Sequence, residues 1–245
     1  MLAFLITLKQ LQQFDGYPMK HSLIFSLLTL LLTANFAIAQ PSAEAEQSQY
    51  VVTLLRAAPG KLPELIDIAK ARKTASDGNM IIMRHSQGDH WDLMLLAPAP
   101  KAPSTTLEYQ ALVDFQHDFL SRSQASWDQI QELAVDTGLF HIEMFQAARG
   151  QYAGLLKQRI MENDYLTATQ RNANLIFETQ FGSDVDIFTL GFHSDLTAFA
   201  TDPKLPESVF EKAATDAGFK SRGDIGFYLR EFLVGHQDTL ATQVK

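Results

Sequence analysis

Histidine and glutamate stand two positions apart in Phe140-His141-Ile142-Glu143-Met144, an otherwise apolar run that reads as a β-strand. Alternation along a strand puts both polar side chains on one face. An imidazole and a carboxylate so placed can act as general acid and base, the carboxylate fixing the imidazole tautomer. They can also supply two ligands to a divalent Zn, Fe or Mn ion. A third outcome is an internal ion-pair cluster that fixes packing, because a buried ionisable pair is costly unless it is partnered. Partners stand in the amphipathic segment that follows, as Arg159, Glu162 and Asn163. Arg159 and Glu162, three apart, share a helix face. His141 and Glu143 are therefore the candidate catalytic pair, with Arg159, Glu162 and Asn163 as candidate ligand-binding residues. A metal would take His141, Glu143 and Glu162. His85 and His90, around an earlier turn, are secondary ligand-binding candidates.

These residues stand out because the chain repeats itself. Tyr50 to Gly60 and Phe140 to Gly150 follow one plan, an apolar strand running into Ala-Ala-x-Gly, and Gly88 to Leu96 is echoed by Gly182 to Leu190. The offset grows from ninety to ninety-four, so the second copy carries four extra residues between its first helix and second strand. Such self-similarity speaks to fold first. Within it, Val51 and Thr53 of the first copy become His141 and Glu143 of the second, a change the scaffold alone does not require. Asp92 recurs as Asp186, which implies a role in the fold such as holding backbone N–H groups. Arg84 and Glu178 occupy equivalent positions and are expected to pair across the two copies.

In each copy a continuously apolar strand suits a position covered on both faces. Leu62, Leu65, Ile66 and Ala69 then give a helix stripe, as do Tyr152, Leu155, Leu156 and Ile160. Two further strands follow, joined by the Gln87-Gly88 turn in the first copy. The pattern predicts a helical region over 106–135, a helix over 206–217 and another over 224–234, with His117-Asp118 exposed on the first and His236 and Asp238 beyond the last, His236 interacting with that helix's dipole. Each copy thus reads β-α-β-β-α, without a fourth strand.

The 245 residues are 46% hydrophobic with a formal charge of −8. The basic residues are scattered, which excludes a nucleic-acid partner that works through phosphate neutralisation. Met19-Lys20-His21, the apolar run 23–32 and Ala37-Ile38-Ala39 have the three parts of a secretory signal. Cleavage after Ala39 removes two lysines and one aspartate, leaving −9. Met19 can serve as the start. The expectation is a periplasmic protein with residues 1–39 as signal, 40–49 as a polar leader, and no membrane segment after cleavage. No cysteine is present, so disulfide and thiol chemistry are excluded.

On the repeat, the Gly-x-x-x-Asp-apolar hairpin and the element order, the chain over about 49–240 resembles the dimeric α/β-barrel superfamily, and most of all its tandem members, including NIPSNAP-like proteins. The resemblance implies an α+β fold in which two ferredoxin-like units, 50–136 and 137–245, form a pseudo-dimer within one chain, their antiparallel sheets covered by helices; further homo-oligomerisation is open. If the Phe140 face packs on the helix, His141 and Glu143 point between the sheets. The superfamily includes small monooxygenases and isomerases, some without a cofactor, and tandem haem proteins such as the chlorite dismutase-like and dye-decolourising peroxidases. None of the haem-binding motifs of those proteins is present. The readings carried forward are a small-molecule site in the second unit without cofactor, a divalent metal site, a haem protein, and a non-catalytic interaction module.

Overall fold

A computed structural model describes residues 47–100 and 109–245. The secretory signal, most of the leader and the start of the predicted 106–135 helix lie outside the described residues.

Eight antiparallel strands close into a barrel. They are β1 (Ser48–Ala57), β2 (Ile81–Gln87), β3 (Leu93–Pro98), β4 (Val113–Ser123), β5 (Leu139–Ala147), β6 (Leu175–Phe181), β7 (Ile187–His193) and β8 (Leu233–Gln243). Around the barrel the order is β1-β3-β2-β8-β5-β7-β6-β4, so β4-β1-β3-β2 is matched by β8-β5-β7-β6. Helix α1 (Leu62–Ala75) follows β1, and α2 (Trp127–Val135) follows β4. After β5 comes α3 (Tyr152–Ala168), which is three residues longer than α1 and accounts for most of the longer crossover. Helices α4 (Leu196–Ala200), α5 (Glu207–Asp216) and α6 (Ile225–Arg230) lie between β7 and β8. Among the described residues no helix is long and apolar enough to cross a membrane.

Two expectations are overturned here. Residues 113–123 are a strand, with helix confined to Trp127–Val135, where Ser126 and Gln129 form a reciprocal cap. Residues 224–234 are also not one helix: α6 ends at Arg230, and Leu233 begins β8. Each half therefore has the fourth strand that the residue pattern concealed. Both of these strands are also what closes the barrel. β4 pairs with β1 of its own half and with β6 of the other, and β8 pairs with β5 and β2. Among the described residues no sheet edge is left unpaired, which removes the liability of an open strand.

Alternate residues of every strand fill the interior, among them Tyr50, Val52, Leu54, Phe119, Phe140, Ile142, Met144 and Phe188. Phe177 and Phe188 stack with centroids 4.5 Å apart, and Phe119 meets Phe188 edge-on at 5.9 Å. The interior is thus a packed core. Outside it, α1 packs Leu65 and Ala69 on Leu55, Ile82, Leu93 and Leu95, while Leu155 of α3 packs on Phe145 and Ile187.

Matching contacts recur within each half and between the two. Asp92 accepts from the Ala57 N–H at 2.8 Å and Asp186 from that of Ala147 at 2.7 Å, as the recurrence of the aspartate implies. At the hairpin tips Gly88 has φ +116° and Gly182 φ +91°. A Cβ on Gly88 would lie 2.0 Å from the Asp238 carbonyl oxygen, and one on Gly182 would lie 2.7 Å from that of Asp118. Each tip therefore abuts the closing strand of the opposite half, and only glycine fits there. The expected Arg84 to Glu178 pair does not form: Arg84 is exposed opposite Thr242, and Glu178 is met by Arg122 at 3.3 Å and Tyr152 Oη at 2.5 Å.

Candidate functional site

Because the Phe140 face fills the barrel, His141 and Glu143 point outward under α3, the reverse of the expected orientation. A strand buried on both faces has no polar side to orient it, so the alternation was legible and its direction was not. Glu143 is buried, and α3 brings Arg159 onto it. Arg159 Nη1 donates to Glu143 Oε2 at 3.2 Å, its Nε donates to Gln158 Oε1 at 2.7 Å, and its Nη2 donates to Glu162. The guanidinium, only 2% exposed, also lies 4.6 Å above the Phe145 ring. Thr189, opposite Glu143 on β7, donates to the same oxygen at 3.2 Å.

On the other side of Glu143 stands β8, which supplies two residues that sequence reasoning left outside the site. Glu143 is directly opposite Asp238, and Phe145 is opposite His236. His141 Nε2 lies 2.7 Å from Asp238 Oδ1, and His236 Nε2 lies 3.3 Å from Glu143 Oε1 without hydrogen-bond alignment. The His236 ring stacks on Phe145 at 4.8 Å. The expectation that His236 follows a helix and meets its dipole is therefore corrected, since both residues are on a strand. The legible signal was His236-x-Asp238 echoing His141-x-Glu143.

A pocket of about 570 Å³ opens over this cluster, walled by His141, Glu143, Glu162, Asn174, His193 and Phe199. His141 and His193 flank the Phe199 ring at 4.8 and 5.2 Å. Burial pushes the His141 imidazole down, but the Asp238 hydrogen bond and the charges of Glu143, Asp238 and Glu162 outweigh it and hold it above its ordinary value. Burial and the neighbouring His141 hold His193 below its own. Burial pushes Glu143 up, yet the His236 contact and the charges of Arg159, His141 and His236 hold its carboxyl at about 2. One pocket thus presents a carboxylate and two histidines whose affinities for a proton are pushed apart.

The other candidates fall elsewhere. Asn163 braces the chain, donating to the Asn174 carbonyl and accepting from the Asn174 N–H, both at 2.8 Å. His85 accepts from the Asp89 N–H at 3.1 Å, and His90 lies 2.6 Å from the Asp89 carboxylate; neither lines the pocket. His117, expected on an exposed helix, sits on β4 between the Phe115 and Phe119 rings with its Nε2 against the Gly182 carbonyl. A larger cleft, about 950 Å³, lies over β1 and β4. Its floor holds Thr53, which donates to Asp118 at 2.5 Å, and Gln116, which donates to the same carboxylate at 2.7 Å.

With the fold and site in view, solved structures provide the comparison. An anthrone oxidase-like protein matches with TM-score 0.51 and 9% identity over 82% of this chain and 93% of its own. A monooxygenase-like protein from Fusobacterium nucleatum matches with TM-score 0.52 and 6% identity over 82% and 94%. A chlorite dismutase-like protein aligns with TM-score 0.49 and 13% identity over 82% and 96%. The barrel fold is therefore shared with the anthrone oxidase-like and monooxygenase-like proteins. No family model matches the chain, and no curated protein matches it.

Proposed function

We propose that this is an exported protein of two tandem ferredoxin-like units, 50–136 and 137–245, akin to the NIPSNAP-like tandem members of its superfamily. Its role is to bind, and through a histidine–carboxylate floor to transform, a small polar molecule in the pocket of the second unit. The carrying observation is that His141 and Glu143, which group with Asp238, line that pocket, where the equivalent residues of the first half are Val51, Thr53 and Asp118. Scaffold demands are met in both halves, and the histidine and glutamate in only one. The matched strand order and the reciprocal Gly88 and Gly182 contacts support the pseudo-twofold. The names of the two structural neighbours with TM-scores above 0.5 are in keeping with a small-molecule substrate. The export reading rests on the signal at 19–39, and N-terminal sequencing of protein from the periplasm tests it, with Gln40 as the expected first residue.

The pocket reading is tested by filling it. Gly191 lies opposite His141, and a Cβ there would meet Asn174 Oδ1 at 2.7 Å and His193 Nε2 at 3.2 Å, both at the free ends of side chains. Gly191→Val should leave the fold intact and narrow the pocket. Ligand-observed NMR with a panel of small carboxylic acids and phenols should find binders to the native protein that Gly191→Val loses. A panel whose binding is indifferent to Gly191→Val refutes the reading.

A further inference from the structure

Four ligand-type side chains alternate along two neighbouring strands, His141 and Glu143 on β5 and His236 and Asp238 on β8. The register sets Glu143 directly opposite Asp238, so two carboxylates face each other across the ladder with a histidine at either diagonal. Like charges in that position destabilise a sheet unless something positive joins them. Arg159 contacts Glu143 but is shared with Glu162, and Asp238 pairs with no lysine or arginine among the described residues. The quartet carries more negative charge than its permanent cation balances.

The geometry suits a cation as well as the charge does. His141, Glu143 and Asp238 each place one ligand atom within 4.8 Å of the other two. His236 Nε2 lies 3.3 Å from Glu143 Oε1 and makes no hydrogen bond. Ligand atoms around a Zn ion bound at ordinary distances stand about 3–3.5 Å apart, so small side-chain rotations suffice for those three, and His236, outside that group, adjoins it at Glu143 Oε1. We propose that His141, Glu143, His236 and Asp238 hold one first-row divalent cation, of the Zn²⁺, Mn²⁺ or Fe²⁺ class. Two imidazoles with two carboxylates select these over Mg²⁺ and Ca²⁺, which take oxygen ligands. The equivalent residues of the first half are Val51, Thr53, Gln116 and Asp118, which leave a single carboxylate. The Asp238 side chain is 57% exposed, so the ion reaches the site without crossing the core. The inference rests on the pocket reading for what the ion does, since His141 and Glu143 also line the pocket and place the ion at its floor. The proposed set differs from the sequence-based one, with Asp238 and His236 in place of Glu162, which Arg159 and Gln158 engage.

The test is calorimetric titration of the whole exported protein, stripped with EDTA, with Zn²⁺ and separately with Mn²⁺. A single ion per chain is expected. His141→Val and His236→Gln, which copy the first half, and Asp238→Asn, at an exposed side chain, should each weaken binding at least about tenfold. The imidazole ¹⁵N resonances of His141 and His236 should shift together with Zn²⁺ in the native protein. Substoichiometric binding overturns the proposal, as does affinity unchanged in His236→Gln and Asp238→Asn. In chelated protein, binding of the pocket ligands should survive His236→Gln, whose ring does not line the pocket, so the two readings fail separately. An ion with no pocket ligand sinks only the pocket reading, and a pocket ligand with no ion sinks only the metal.

Discussion

Arg159→Met removes the cation from an ion pair that has almost no access to water. The guanidinium is 2% exposed and the Glu143 side chain 9%. Its loss leaves Glu143 facing Asp238, with Glu162 on α3 above, and Gln158 without the donor that meets its Oε1. Removing one partner of a buried pair costs about 3–5 kcal/mol, because the survivor stays desolvated. For a domain of this size each kcal/mol moves the melting temperature by about 2–4 °C, giving a fall of roughly 6–20 °C. Urea and thermal unfolding of chelated protein, followed by circular dichroism and by the fluorescence of Trp91 and Trp127, measures it. Arg171→Met is the control, since Arg171 pairs with the exposed Asp202 at 3.4 Å and such surface pairs contribute about 0–1 kcal/mol. Adding Glu143→Gln to Arg159→Met should recover part of the loss by removing the stranded charge. A cost below about 1 kcal/mol for Arg159→Met, or no recovery in the double variant, would refute the reasoning that burial dominates this pair.

Two further outcomes follow from the geometry. Glu143 titrates at about 2 in the folded protein against an ordinary 4.5, so it binds its proton less readily folded than unfolded. Its stabilisation is therefore fully present above about pH 4.5 and lost as pH falls toward 2; acid titration of chelated protein should show Glu143→Gln removing that limb. Gly88→Ala forces a Cβ against the Asp238 carbonyl, whereas Gly150, also at positive φ, has open space around it. Gly150→Ala should cost about 1–2 kcal/mol from backbone strain alone, and Gly88→Ala should cost more and weaken Zn²⁺ binding by displacing Asp238; equal costs would remove the close approach from the account.

How much of this could be read from residues depends on which face of each strand was distinctive. His141 and Glu143 were legible because Val51 and Thr53 supply an internal reference. The β4 run Phe115-Gln116-His117-Asp118-Phe119 alternates with period two, but only if His117 is counted with the aromatics it meets edge-on. Counted as polar, it leaves Leu112, Val113, Phe119 and Leu120 spaced as a helix stripe. β8 gave less still: its inward side chains include Thr239 and Ala241, which carry little hydrophobic contrast, so the strand is specified by the partners it bonds to rather than by its own pattern. His236 and Asp238 were lost with it. The Asp92 and Asp186 caps were legible because they recur.

That the barrel closes within one chain has a consequence for how it can change. In a barrel built from two copies of one polypeptide, any substitution on an outward strand face arrives twice, and a half-buried charged quartet would have to be accommodated on both sides at once. Here each position is encoded once. The first half keeps Val51 and Thr53 beneath an open cleft, while the second carries the burden of Glu143 under a longer helix that bears Arg159. Asymmetry of this kind lets one side specialise while the other remains the stable mould against which it is held.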